Sequence, residues 1–119
     1  KRVNDHYGHA GGDRALQSFT DSVSAVIRLE DIFGRVGGEE FCVVLPSVSA
    51  DRAFKVAEKV RSEIETQTLS LGNETLSMTV SIGLSSRIPA DASLSGIQQR
   101  ADTALYEAKQ GGRNRVAVR

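Results

Sequence analysis

The chain has 119 residues, enough for one domain with its own core, and its 15 basic residues balance 15 acidic residues. The zero net charge excludes a typical electrostatic surface for duplex DNA, and no apolar run approaches the roughly 18 residues that span a bilayer. The single cysteine excludes an intrachain disulfide and suits a reducing compartment, so we expect a cytoplasmic domain. Because its charges balance, we expect no DNA partner.

In chain order, the first half predicts a loop, a helix and a hairpin. The Asn, Asp, Gly and His residues of "NDHYGHAGGD" (4–13) are typical of a loop. Apolar residues at spacings of three and four then predict a helix whose buried stripe is formed by Leu16, Phe19, Val23, Val26 and Ile27. Residues 31–36 and 41–45 predict two strands joined by a turn at Gly37–Gly38, and Pro46 ends the second strand.

The second half predicts two further helices and more strands. A helix begins near Ser49 or Asp51 and buries a face formed by Ala53, Val56, Ala57, Val60 and Ile64. A hairpin around Gly72–Asn73 follows, and alternating apolar residues predict one strand over 76–84. Ser95 with Gln98 resembles a capping box for the last helix, whose apolar face is formed by Ile97, Ala101, Ala104, Leu105 and Ala108.

Gly111–Gly112 ends that helix, and residues 116–118 predict a short final strand. Hairpins mixed with helices are typical of an α/β (α+β) fold, in which helices flank a largely antiparallel central sheet. The chain predicts no strand before its first helix, where a helix-covered sheet usually has one. Because the chain begins at Lys1 without Met, we interpret it as an excised piece of a longer protein.

The stretch "RVGGEEFCVVL" (35–45) places Glu39 and Glu40 directly after the glycine turn. In isolation it is an ordinary hairpin with exposed carboxylates. However, neighbouring strand residues point to opposite faces, so the two carboxylates would not serve one purpose from one face. Glycines let a ligand approach the backbone closely, and carboxylates suit a hard cation such as Mg²⁺. The residues alone leave both interpretations open.

Four stretches, in the same order, resemble the GGDEF domain family, the diguanylate cyclases. "GGEEF" (37–41) resembles the signature in its GGEEF variant, and residues 4–13 resemble the N-D-x-x-G-H-x-x-G-D stretch. "SIGLS" (81–85) resembles S-I-G-[VIL]-[AS], and "ADTALYEAKQGGRNRV" (101–116) resembles A-D-x-A-L-Y-x-A-K-x-x-G-R-N. The resemblance covers essentially the whole chain. It implies one domain over 1–119 with a palm-like fold related to that of adenylyl cyclases.

The resemblance also implies an activity, the condensation of two GTP molecules into cyclic di-GMP with release of two pyrophosphates. A homodimer would carry it out, each subunit holding one GTP with two Mg²⁺ or Mn²⁺ ions. Glu39 and Glu40 match the catalytic metal ligands, and Gly37 and Gly38 match the glycines that lie against the nucleotide. The other matches are Asn4 and Asp13, which would read the guanine edge, and Lys109 and Arg113, which would bind the phosphates.

For the residues predicted to bind the guanine and the phosphates, the residue types alone permit simpler interpretations. Asn4 and Asp13 are the kind of residue that closes an Asx turn. Lys109 and Arg113 lie near a helix C-terminus, where cations complement the helix dipole.

"RLED" (28–31) resembles the R-x-x-D motif of the family's product-inhibition site, so Arg28 and Asp31 are expected to bind cyclic di-GMP. An arginine reads the O6/N7 edge of guanine well. Lys59, or alternatively Arg61, would complete this site. The simpler interpretation is an ion pair between neighbours at a helix end.

In one respect the sequence departs from the family pattern. Family members carry a strand before Asn4 that ends in D-x-D-x-F-K and supplies another metal carboxylate. Lys1 matches the last residue of that stretch, so we expect the strand to lie in the parent protein. An upstream sensor or receiver domain is also expected there, while attachment of the parent protein to a membrane stays open. Besides an enzyme, a GGDEF domain that only binds cyclic di-GMP remains an alternative, and a purely structural dimerisation domain is the least favoured.

Overall fold

The computed structural model describes the backbone of residues 2–119 and the side chains of residues 12–70 and 72–119. The helices of this part are α1 (Arg2–Val26), α2 (Ala50–Thr66) and α3 (Leu94–Gln110). The strands are β1 (Ile32–Gly37), β2 (Glu40–Val44), β3 (Thr68–Leu71), β4 (Glu74–Ser77), β5 (Ile82–Leu84) and β6 (Val116–Val118). No helix of the described part is both long and apolar enough to cross a membrane.

The strands pair in twos. β1 with β2 and β3 with β4 form antiparallel hairpins, whereas β5 and β6 are parallel and flank α3 in the chain. The predicted mixed α/β fold is therefore confirmed, including the order of the helices and hairpins. Within the described residues, however, the strands form three separate pairs rather than one continuous central sheet.

The main core lies where α1 packs against α2. Val23 of α1 is 2% exposed, and Ile64 of α2 is fully buried, with Val60 beside them. Burying side chains of this size stabilises a fold by about 1.5–3 kcal/mol each. The surrounding partly buried residues come from α1, β1 and the segment up to β5: Phe19, Val26, Ile27, Phe33, Met78, Val80 and Ile82. The apolar stripes predicted for these two helices are thus the faces that they bury.

A second contact joins α3 to β5. Ala104 and Ala108 are completely buried on the inner face of α3, as the sequence predicted. Gly83 of β5 faces the same helix so closely that a Cβ there would meet the backbone of Ala101 and Leu105. Small residues on both elements therefore allow helix and strand to approach backbone to backbone. This contact fixes the helix that carries Lys109.

The loop predicted for residues 4–13 is wrong, because α1 begins at Arg2 and runs through this stretch. Glycine in a helix interior costs roughly 1 kcal/mol, which is why the composition favoured a loop. Each residue added to a growing helix gains a backbone hydrogen bond, so a helix that starts on the apolar stripe can extend through such residues.

The single strand predicted over 76–84 is also wrong. β4 ends at Ser77 and β5 begins at Ile82, with residues 78–81 between them. Ser77 pairs with Thr68 of β3, whereas Ile82 pairs with Val116 of β6. Met78 and Val80 pack against the core. The alternation of apolar residues therefore indicated correctly which side chains are buried. It did not indicate that the segment changes its pairing partner, which divides it into two strands.

The predicted start of α2 is confirmed, whereas the predicted cap of α3 is wrong. Ser49 caps α2 by accepting a hydrogen bond from the Arg52 amide at 3.2 Å, as expected. For α3 the cap is Ser93, not Ser95, because Ser93 has the extended backbone that an N-cap needs. Ser95 lies inside the first turn, and its amide donates to the Ser93 hydroxyl at 3.4 Å.

Candidate active site

The glycine turn between β1 and β2 is a tight hairpin. Gly37 pairs with Glu40, which leaves Gly38 and Glu39 as the two turn residues, and a bulge follows Arg35. Gly38 has φ +49°, in the left-handed region that favours glycine. A Cβ at Gly38 would meet nothing within 4 Å, so the space over the turn is open. The second glycine is therefore needed for the turn, and the turn leaves room for a ligand.

Arg35 braces this turn from β1. Its Nε and Nη2 atoms donate to the Gly38 carbonyl oxygen at 2.9 and 2.6 Å. The guanidinium also lies 5.9 Å from the centre of the Phe41 ring, its cross-strand partner. Sequence reasoning missed this brace, although an arginine three residues before a turn glycine was a signal for it. Arg35 fixes the backbone from which the next residue, Glu39, extends.

Three phenylalanines pack the hairpin of β1 and β2 against α1. Phe19 of α1 lies 4.8 Å from Phe41 and 6.3 Å from Phe33, and the two strand rings lie 5.6 Å apart, measured between ring centres. Aromatic pairs at such distances are worth about 0.5–1.5 kcal/mol beyond their buried area. The hairpin is therefore held on the core by the side chains that flank its turn.

The two predicted metal ligands lie together at the end of this hairpin. Glu39 occupies the turn and Glu40 begins β2, and both are exposed. The described residues contain no group of three or more His, Cys, Asp and Glu side chains that could hold a metal ion. What the turn offers is two carboxylates, the oxygen donors that Mg²⁺ and Mn²⁺ prefer.

Lys109 of α3 reaches the carboxylate turn. Its Nζ atom lies 3.8 Å from Oε2 of Glu40, and both side chains are partly exposed, at 37% and 51%. A salt bridge of this length and exposure contributes little to stability. The structure thus brings one predicted phosphate ligand next to one predicted metal ligand.

Arg113 follows the end of α3, in a Schellman motif. The Gly112 amide donates to the Lys109 carbonyl at 3.4 Å, and the Arg113 amide donates to the Ala108 carbonyl at 3.0 Å. Gly112 has φ +119°, which confirms the predicted end of the helix at the glycine pair. The Arg113 side chain is exposed and forms no ion pair with another described residue. One helix end therefore carries both predicted phosphate ligands.

The next residue, Asn114, binds α2. Its side-chain oxygen accepts from Nη1 of Arg61 at 3.0 Å, and its amide nitrogen donates to the carboxylate of Glu65. Arg61 also donates to Glu58 at 2.8 and 3.2 Å. The hydrogen bond from Asn114, followed by that from Arg61, lowers the pKa of Glu65. Sequence reasoning gave Asn114 no role, and the structure turns Arg61, the alternative residue for the product site, toward it.

The residues predicted for product inhibition lie at the end of α1. Arg28 donates through Nη2 and Nε to the two oxygens of Asp31, at 2.9 and 3.3 Å, and through Nη2 to the Pro46 carbonyl at 2.9 Å. The hydrogen bonds between the two side chains lower the pKa of Asp31 and raise that of Arg28. The ion pair offered as the simpler interpretation is therefore present. Lys59, the residue predicted to complete the product site, lies in a groove between α1 and α2 that also includes Val26.

The predicted guanine-reading pair is only partly described. Asp13 is exposed on α1 and forms no hydrogen bond or ion pair with another described residue. The Asn4 side chain lies outside the described residues. The pair therefore stays a prediction.

Comparison with known proteins gives one consistent family. The family model described as "Diguanylate cyclase, GGDEF domain" matches residues 1–115. Diguanylate cyclase A of Treponema denticola is 42% identical over 118 residues, which cover 99% of this chain and 32% of that protein. The chain thus spans about a third of that curated relative.

Solved structures agree. The GGDEF domain of DgcB from Caulobacter crescentus, in complex with cyclic di-GMP, has a TM-score of 0.92 at 34% identity, covering 98% of this chain and 69% of that one. The diguanylate cyclase SiaD of Pseudomonas aeruginosa, in complex with its activator SiaC, has a TM-score of 0.91 at 36% identity, covering 99% and 45%. The arrangement of helices and hairpins is thus that of these proteins, and the predicted palm-like fold fits it. The chain belongs to the GGDEF domain family of diguanylate cyclases.

Proposed function

We propose that this chain is the catalytic domain of a diguanylate cyclase, which condenses two GTP molecules into cyclic di-GMP and releases two pyrophosphates. The observation that carries the proposal is the 3.8 Å approach of Lys109 to Glu40. It brings a cation suited to a triphosphate next to the carboxylates suited to the metal ions that accompany one. The activities of the relatives named above support the same reaction.

The carboxylate turn fits Mg²⁺ or Mn²⁺. Glu39 and Glu40 supply oxygen donors at an exposed turn, and the open space over Gly38 leaves room for phosphate oxygens and waters. Magnesium is commonly held in this way, by one or two carboxylates together with substrate phosphates. When bound, such ions stabilise the attacking and leaving oxygens of an in-line displacement.

The cations of α3 and the following loop hold the triphosphate. The Lys109–Glu40 pair is exposed and long, so Lys109 can exchange the carboxylate for phosphate oxygens at little cost. Arg113 offers a guanidinium fork, which binds phosphate through two hydrogen bonds. Asn4 and Asp13 read the guanine edge, the carboxylate accepting from N1–H and the N2 amino group.

The reaction joins the substrates of two subunits. The 3′-hydroxyl of one GTP attacks the α-phosphorus of the other, and a new P–O bond forms. The bond from that phosphorus to the oxygen bridging to the β-phosphorus breaks, pyrophosphate leaves with the electron pair, and the hydroxyl proton passes to solvent. Repetition in the opposite direction closes the ring. Two copies of the domain must therefore face each other, and an upstream sensor or receiver domain would control that pairing.

Product inhibition uses the second set of residues. Arg28 and Asp31 bind a guanine of cyclic di-GMP, and Lys59 supplies a further positive charge. Arg28 is 39% exposed, so part of its guanidinium remains available beside Asp31. The cyclic di-GMP complex of DgcB supports a site for this nucleotide in the family. The partly exposed Arg28 guanidinium, held by the buried Asp31 carboxylate, also supports the alternative function, a domain that binds cyclic di-GMP without making it.

The complete protein, incubated with GTP and Mg²⁺, separates the two functions. Production of cyclic di-GMP, lowered at least about tenfold by Lys109→Ala, supports the enzyme. The matched control is Lys55→Ala, an exposed lysine on α2. Tight binding of cyclic di-GMP with no consumption of GTP would instead identify the binding module.

A further inference from the structure

We propose that Asn114 is a positioning residue for Arg113, and that α2 holds it in place through Arg61 and Glu65. The inference deepens the proposed function and rests on it, because it takes Arg113 as a ligand of the GTP triphosphate. It concerns residues that do not themselves contact the substrate.

The backbone after α3 needs such support. Gly112, Arg113 and Asn114 have φ values of +119°, +63° and +46°, three left-handed residues in succession. Glycine adopts this region freely and asparagine tolerates it, but a long side chain such as arginine rarely does. The Schellman hydrogen bond to Ala108 fixes the Arg113 amide, yet it does not determine the conformation of the residues beyond it.

The side chain of Asn114 adds a constraint that ties this loop to α2. Its oxygen accepts from Arg61, and its nitrogen donates to Glu65, so the amide forms both kinds of hydrogen bond at once. Arg61 is only 17% exposed and is held in turn by Glu58 and Glu65. The anchor therefore belongs to a rigid helix, 49 and 53 residues away in the chain from the loop it holds.

The consequence for Arg113 is preorganisation. Its neighbours on both sides are fixed, by the helix end on one side and by α2 on the other. Its own side chain forms no ion pair with another described residue and is free to meet an anion. When the side chain is already in place, binding does not include the free-energy cost of ordering the loop, and the affinity is higher by that amount. Loss of the anchor should therefore weaken triphosphate binding without removing any atom that touches the substrate.

Asparagine 114 allows a sharp test, because glycine also accepts a left-handed backbone. Asn114→Gly removes the amide but keeps φ accessible, and Glu65→Ala removes the anchor from the α2 side. In the complete protein with GTP and Mg²⁺, we expect either variant to raise KM for GTP about tenfold and change kcat less than about threefold. The double variant should be no worse than either single one. Hydrogen exchange at the amides of residues 112–115 should accelerate in both.

The control is Glu107→Gln, which breaks an ion pair between α3 and Arg119 whose atoms lie 2.8 Å apart. It removes a charged contact of the same helix, α3, without touching the anchor on α2, and its KM should equal that of wild type. If wild type converts GTP but Asn114→Gly matches it in KM and in amide exchange, this inference alone is overturned. If wild type neither binds nor converts GTP, the proposed function fails and this inference fails with it.

Discussion

Replacing Gly83 with alanine should strongly destabilise the domain, because β5 and α3 touch there backbone to backbone. A Cβ at this position would meet the Ala101 carbonyl oxygen and the Leu105 amide nitrogen, and would lie 2.8 Å from the Leu105 Cα atom. Overpacking a core typically costs 1–3 kcal/mol, when side chains can still move aside. Here the obstacles are backbone atoms, so α3 itself must shift, and we expect a loss of about 3 kcal/mol in the free energy of unfolding.

Urea denaturation of the complete protein measures this loss, and thermal unfolding should show a fall in Tm of about 10 °C. The matched control is Gly34→Ala. Gly34 is also a strand glycine, but a Cβ there meets nothing within 4 Å. Alanine should be neutral or slightly stabilising at that position, because it narrows the unfolded ensemble. Equal stability of the two variants, within about 0.5 kcal/mol, would refute the close packing of β5 on α3.

Three further predictions concern other contacts. The pKa of Asp91 is lowered to about 2, chiefly by the hydrogen bond from Arg100. Its stabilisation is thus complete well above the unfolded pKa of about 3.9 and is lost as the pH falls through the folded pKa. The urea midpoints of wild type and Asp91→Asn should therefore differ at about pH 6, approach each other as the pH falls below about 4, and converge only below about pH 2. Arg28→Ala should raise the cyclic di-GMP concentration that halves activity at least about tenfold, with uninhibited kcat within about twofold. Arg35→Lys loses the forked donation to the Gly38 carbonyl, and should lower stability by about 1 kcal/mol and kcat severalfold.

Each of these has a control of the same chemistry at an exposed site. Asp102→Asn on α3 should leave the urea midpoint at about pH 6 unchanged, Arg52→Ala on α2 should leave product inhibition unchanged, and Arg87→Lys should leave kcat unchanged. A constant gap between the Asp91→Asn and wild-type midpoints would contradict the ion pair. Undiminished inhibition in Arg28→Ala would remove that residue from the product site. Full activity of Arg35→Lys would show that the brace does not serve the reaction.

The elements that sequence reasoning placed correctly are those whose signal is local. The face of α2 that ends in Ile64 and the glycine stop at Gly112 depend on spacing and backbone conformation within a few residues. The long strand failed because strand limits depend on pairing. Ile82 pairs with Val116, and nothing near residue 82 in the sequence reveals that partner.

The candidate site divides in the same way. The carboxylates of Glu39 and Glu40 and the cation of Lys109 were predicted as site residues from residue type and family resemblance. The contact of Asn114 with α2 was not, because a hydrogen bond to Arg61 across 53 residues requires the folded chain. What the sequence predicted is therefore the chemistry of the site, and what it missed is the set of contacts that hold it in place.

The central claim is that the carboxylate turn supports cyclic di-GMP synthesis, and one assay tests it directly. The complete protein is incubated with GTP and Mg²⁺, and cyclic di-GMP and pyrophosphate are measured for wild type, Glu39→Gln and the control Glu74→Gln, an exposed glutamate of β4. We predict two pyrophosphates per cyclic di-GMP in wild type and control, and at least about 100-fold less product in Glu39→Gln. Equal synthesis by Glu39→Gln, or none by wild type, would contradict the account.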